Sequence, residues 1–236
     1  MESIATAIGR IRRAVAPVVY LDTCVLLDVV RAPLRNAAGT VEAALELLTG
    51  AKRSVPTVYL FVGCPTPTEW SDHIHEAVAD CNIAVNCVDA VSHSWHFLGE
   101  PGLPTLSPPL LVLPARLRTL SKNLLDAASV LDKDGEALGR AIDRIISGRK
   151  PARKGGQGAK DATILEHAIS LVDALIAVGV ATPRVFVSSN TNDFLITKGT
   201  AIHPEIKPDF DPPRDIHYSV SLSDAVTWLK ASGWAP

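Results

Sequence analysis

The 236-residue sequence has only four cysteines, Cys24, Cys64, Cys81 and Cys87, and no two of them form a CxxC pair. Zinc knuckles and disulfide scaffolds are thereby set aside, and thiols in or beside apolar runs point to small buried side chains in a reducing compartment. Excess positive charge is also missing: 23 Lys and Arg stand against 25 Asp and Glu, so a polyanion would have to meet a local patch rather than a global field. Long apolar runs are missing too. Arg10, Arg12 and Arg13 precede an apolar stretch, but Pro17 and Asp22 interrupt it well short of the roughly 18–20 residues of a membrane span. A cytoplasmic protein with neither secretory leader nor membrane span is therefore expected. What is present, 47% hydrophobic residues, suits one elaborated α/β domain over 1–236 with a sizeable core.

Residues 17–24, PVVYLDTC, hold four consecutive apolar residues that read as a strand buried on both faces, as in parallel sheets. Asp22 stands at its carboxyl end, where open α/β sheets bind ligands. Alternatively, Asp22 or Thr23 only caps the following helix. Further strands are expected at 57–62, 83–88, 184–188 and 216–220. Helices are expected at 3–14, 25–30, 41–48 with Thr40 as N-cap, 66 to about 80, 115–131, 135–146, 161 to about 178, and 223–231. Residues 100–114 carry five prolines and mark an insertion or long loop. The apolar stripes of 115–131 and 135–146 predict an antiparallel helical pair packed beside the sheet.

Three more acids stand at similar places. After the second strand, CPTPTEW puts Thr66 to Glu69 at the N-cap to N3 positions of a helix. Glu69 then has two readings: a capping-box residue that reaches back to its own N-cap, or an acid on the same sheet edge as Asp22. Asp161 opens the clearest helix, where the helix dipole favours an acid in any case. Asp193 closes the polar turn after the fourth strand. Between 148 and 161, GRKPARKGGQGAKD gathers Arg149, Lys150, Arg153, Lys154 and Lys160, with Gly155, Gly156 and Gly158 to make it mobile, either a solvated hinge or a mobile loop that grips phosphates. Glu166 and His167 read as packing or salt-bridge residues. His73 and His75 are two apart and point to different helix faces. His93 and His96 have ligand-like spacing but no third ligand nearby, which favours surface packing.

In a doubly wound parallel sheet, Asp22, Glu69, Asp161 and Asp193 would share one edge. Carboxylates gathered there repel, so some take up protons or share a cation. Oxygen ligands without His or Cys suit Mg²⁺ or Mn²⁺, ions that assist phosphodiester hydrolysis. On VVYLDT, PTPTEW, KGGQGAKDATILEH and VFVSSNTNDF, in that order, the chain resembles the PIN domain nucleases. The resemblance implies an α/β fold, a three-layer α/β/α sandwich around a parallel sheet of about five strands, to which this chain adds a helical insertion at about 92–150. It also implies divalent-metal-dependent cleavage of single-stranded RNA, with Asp22, Glu69, Asp161 and Asp193 as metal ligands. Ser188 and Asn190 match polar positions near the last acid, and Arg153, Lys154 and Lys160 would hold substrate.

The insertion makes the chain longer than the minimal members of toxin–antitoxin pairs. Toxin-type endoribonuclease activity, an antitoxin or other protein partner, and a homodimer are expectations from the resemblance, and the insertion departs from the toxin pattern. Hydrolysis by water needs no ribose 2′-OH, so the mechanism does not choose RNA over DNA. A non-catalytic PIN-like module that binds RNA or protein is the alternative. A phosphatase of the DxD type is disfavoured because the second position is Cys24, and a dinucleotide-binding domain because DTCVL has no glycine-rich turn.

Overall fold

The computed structural model describes residues 1–97, 110–152, 158–196 and 201–236, apart from the side chains of Ser92, His93 and His96. The strands β1 (Val18–Leu21), β2 (Tyr59–Val62), β3 (Ser129–Val130), β4 (Arg184–Val187) and β5 (His217–Ser219) form one parallel sheet in the order β3-β2-β1-β4-β5. Val19 pairs with Leu60 on one side and Val185 on the other. All four residues of β1, β2 and β4 are buried, which is why these strands read as unbroken apolar runs.

Alternate residues along each strand feed two cores. Val19, Leu21, Leu60, Val62, Val185 and Val187 face α2 (Thr23–Arg31), α3 (Ala38–Ala51), α4 (Thr66–Phe97), α5 (Leu113–Ala127) and α10 (Leu222–Ala231). Val18, Tyr20, Tyr59, Phe61 and Phe186 face α1 (Ile4–Arg13) and α7 (Ala159–Ala177). The period of two, with both phases apolar, requires helices on both faces and makes the three-layer α/β/α sandwich. Helix α6 (Gly135–Ser147) lies outside α7, with Ala141 meeting Ala162 and Ala152. The short α8 (Thr191–Phe194) and α9 (Lys207–Phe210) drop Phe194 and Phe210 onto Phe186, at ring-centroid distances of 5.3 and 5.8 Å.

The third strand differs from expectation. Residues 83–88 lie inside α4, because Trp70, Ile74, Ala77, Cys81 and Val85 continue one buried helical stripe with no turn residue to stop it. The strand beside β2 is instead Ser129–Val130, which follows α5 within the stretch expected to be its last turn. The 115–131 and 135–146 helices are not an antiparallel pair: α5 packs in the α2–α3–α4 layer, and α6 packs on α7 across the sheet. Thr40 sits within α3, which starts at Ala38, and is not its N-cap. Among the described residues no helix is long and apolar enough to cross a membrane.

From β1 the chain builds β2 and β3 to one side, then returns to build β4 and β5 on the other. The carboxyl ends of β1 and β4 therefore flank the point where strand order reverses, the place where such sheets leave a crevice for ligands.

Candidate functional site

Asp22 leaves β1 at that crevice and serves as N-cap of α2, the capping reading of its sequence position. Its Oδ1 accepts from the Thr23 amide at 2.6 Å, and its Oδ2 accepts from Ser188 Oγ at 2.6 Å and Cys24 Sγ at 3.2 Å. The residue is 3% exposed. Burial raises its pKa above the ordinary carboxyl value; the Ser188 and Cys24 bonds oppose that rise and the nearby Glu69 adds to it. Burial, and then the charge of Asp22, push the Cys24 thiol well up, so it acts as a neutral donor and not a nucleophile.

Ser188 comes from the end of β4. Its hydroxyl also accepts from the Asn190 amide at 3.2 Å, and its carbonyl accepts from Tyr218 Oη at 2.8 Å. The turn after β4 is thus pinned to the β1 turn by one serine and to β5 by one tyrosine.

Glu69 does not form a capping box. Helix α4 starts at Thr66, the Glu69 amide donates to the Pro65 carbonyl at 3.0 Å, and Thr66 Oγ1 is buried with no partner among the described residues. The carboxylate reaches across to the β1 turn instead, where its Oε2 accepts from Thr23 Oγ1 at 2.7 Å. Lys160 Nζ lies 3.8 Å from its Oε1, from the exposed first turn of α7.

Asp161, next to Lys160, has its pKa pushed up to about 7. Burial is the largest cause, followed by the negative charges of Asp22, Asp193 and Glu69, while a hydrogen bond from Asn190 partly offsets them. Asp193, in α8, accepts from Asn190 Nδ2 at 3.1 Å and from Lys150 Nζ at 3.1 Å.

The four acids singled out in the sequence therefore lie in one another's field, on the ends of β1, α4, α7 and α8, with Ser188 and Asn190 bonded among them and Lys160 on the rim. Arg153 and Lys154 lie outside the described residues, and Arg149 is exposed. Thr23, Cys24 and Lys150 have places in the site that the sequence did not assign them. Thr23 and Cys24 adjoin Asp22 in the turn, but only the tertiary fold brings Glu69 and Ser188 to them. A cavity of about 620 Å³ lined by Ser3, Asp134, Arg140 and Asp173 includes none of these acids.

The donor set fits Mg²⁺ or Mn²⁺ in chemistry: carboxylate oxygens only, with burial first and the charges of the other three acids after it raising the proton affinity of Asp161. The same set is not a closed cage. Among the described residues no three His, Cys, Asp or Glu side chains stand together as a ready metal site. Asp22 is tied to Ser188, Glu69 to Thr23 and Asp193 to Lys150, so each carboxylate has a different protein partner. No protein-family model, no curated protein and no solved structure matches the chain.

Proposed function

We propose that the chain is a divalent-metal-dependent nuclease of the PIN type, acting on single-stranded RNA, with Asp22, Glu69, Asp161 and Asp193 as oxygen ligands to Mg²⁺ or Mn²⁺. The observation that carries this reading is Asp161, whose proton affinity rises first through burial and then through the charges of three other acids that separate elements deliver at the strand-order reversal. A purely structural cluster would gain by replacing one of these acids with a neutral residue, whereas a cation turns their repulsion into binding energy.

When bound, the cation would supply Lewis-acid charge to the phosphodiester oxygens. The protein's part is positional. Ser188 and the Thr23 amide aim Asp22, Thr23 Oγ1 aims Glu69, and Asn190 bridges Asp161 and Asp193. Lys160, 56% exposed and 3.8 Å from Glu69 Oε1, would be the cation open to a phosphate. A non-catalytic module that binds RNA or protein is favoured by one observation, the lack of a ready cage among the described residues.

Labelled single-stranded RNA and DNA incubated with Mg²⁺, Mn²⁺ or EDTA separate the two readings. The nuclease reading expects RNA cleavage with either metal and none in EDTA. Tight RNA binding without cleavage under any of these conditions supports the binding module.

A further inference from the structure

Helices α4 and α5 leave between them a groove of about 610 Å³. Val78 and Asn82 stand on the α4 wall, and Ala115, Arg118 and Lys122 on the α5 wall. Leu111, just ahead of α5, lines the groove while 73% exposed. The charge is one-sided: among the described residues no Asp or Glu lines this groove, whereas the cavity beside α6 carries acids of its own, Asp134 and Asp173 among them. Arg118 and Lys122 are four positions apart on α5, hence on one face and in mutual repulsion. Among the described residues Arg118 pairs with no acid, and Lys122 pairs only with Asp126 on its own helix, where both side chains are about half exposed and the pair is worth little. Trp70, the aromatic residue of the lining, is buried and donates its indole N–H to Ser121 Oγ at 2.9 Å, so it offers no open face for a nucleobase.

We propose that this groove docks an acidic amphipathic helix of another protein, with its aliphatic side chains on Val78, Leu111 and Ala115 and its carboxylates on Arg118 and Lys122. Two helical walls seat a third helix by ridge-into-groove packing, and the apolar strip between them accepts the anchors of such a helix. Charge selects the partner's sign. Carboxylates relieve the repulsion between Arg118 and Lys122, and the exposed Asp126 gives up Lys122 at small cost. A single strand of RNA would find two cations but no stacking surface. A second copy of this chain is a poor match as well, because the exposed apolar end of α4, with Val88, Val91 and Trp95, carries one acid, Asp89, from residue 81 to residue 97. None of the four acids of the candidate site lines the groove, so docking here needs no metal.

Two fluorescein-labelled helical peptides, titrated with the full chain and followed by anisotropy, test the assignment. Both carry leucines at i, i+3, i+4 and i+7; one has glutamates on the flanks and the other lysines. Wild type should bind the glutamate peptide about tenfold or more tightly than the lysine peptide, and added salt should weaken that binding. Arg118→Glu combined with Lys122→Glu changes two exposed residues, so the fold should survive, and the preference between the peptides should reverse. Leu111→Ser should weaken the glutamate peptide without touching charge. A peptide that merely sticks to apolar surface would not follow the reversal. Equal binding of both peptides to wild type, or a glutamate preference that the double variant keeps, would overturn the docking site. So would two other results: single-stranded RNA binding that the double variant loses while wild type binds neither peptide, which gives the groove to RNA, and a wild-type dimer in sedimentation that Leu111→Ser dissociates, which gives it to a second copy.

Discussion

Replacing Asp161 with Asn removes a site carboxyl whose proton affinity is raised far from its ordinary value, and the effect on stability can be worked out. In the folded protein this group titrates at about 7 against an ordinary value of 3.8. The folded state therefore holds the proton more tightly than the unfolded chain, and stability rises with protonation. The contribution is fully present below 3.8 and is lost as pH rises through about 7. Between pH 5 and pH 8, in EDTA, the linkage integral corresponds to about two decades of proton affinity, or roughly 2–3 kcal/mol at about 1.4 kcal/mol per decade. Asp161→Asn lacks this titration. Urea unfolding of both proteins should thus show a stability difference that moves in favour of the variant by roughly 2–3 kcal/mol on going from pH 5 to pH 8. Saturating Mn²⁺ should shrink the difference at pH 8, because a bound cation relieves the repulsion only where the carboxylate remains. Parallel stability curves for the two proteins across this range would show that Asp161 feels no unusual field, and would remove the main support for a shared carboxylate site.

Glu69→Gln should lower cleavage by about 10–100-fold or more while changing stability by less than about 1 kcal/mol, since glutamine keeps an oxygen for Thr23 Oγ1 and no helix cap depends on the carboxylate. Parallel turnover and thermal-melt measurements check this, and near wild-type turnover would make Glu69 a structural residue. Arg144→Met should cost about 3–5 kcal/mol in urea unfolding, because Glu166, 1% exposed, loses a buried partner and Asp209 loses one of its two arginines. A loss below about 1 kcal/mol would mean that this buried network adds little to the fold.

The parts of this architecture that were legible in the sequence are those carried by local pattern. The apolar runs of β1, β2 and β4 are buried on both faces, and the acid or polar turn that ends each one marks the ligand edge of a parallel sheet. Asp22, Ser188, Asn190 and Asp193 follow directly from that rule. Ser129–Val130 was not legible, because two residues carry no periodicity and the strand exists only where Phe61 and Val62 offer a partner edge. Residues 83–88 misled because Ile83, Val85 and Val88 have strand-like side chains, while the helical stripe that includes Val85 began at Trp70. Glu69 fitted a capping box by spacing alone, and the competing hydroxyl of Thr23 is 46 positions away in the chain. Lys150 and Arg144 were hidden by a general expectation that charged side chains face water. Their burial depends on Glu166, Asp193 and Asp209, three acids on three different helices, and no local pattern announces such a network.

The central claim is that the four carboxylates form one cation site, and calorimetric titration of Mn²⁺ into wild type and Asp22→Asn tests it most directly. Asn can keep capping α2 through its oxygen, and its amide group, in the place of Oδ2, can donate to the Ser188 hydroxyl, so the variant should stay folded. The account predicts measurable Mn²⁺ binding to wild type and at least a tenfold loss of affinity in the variant, with the thermal midpoint little changed. Equal Mn²⁺ affinity in the two folded proteins, or no binding to wild type, would contradict it.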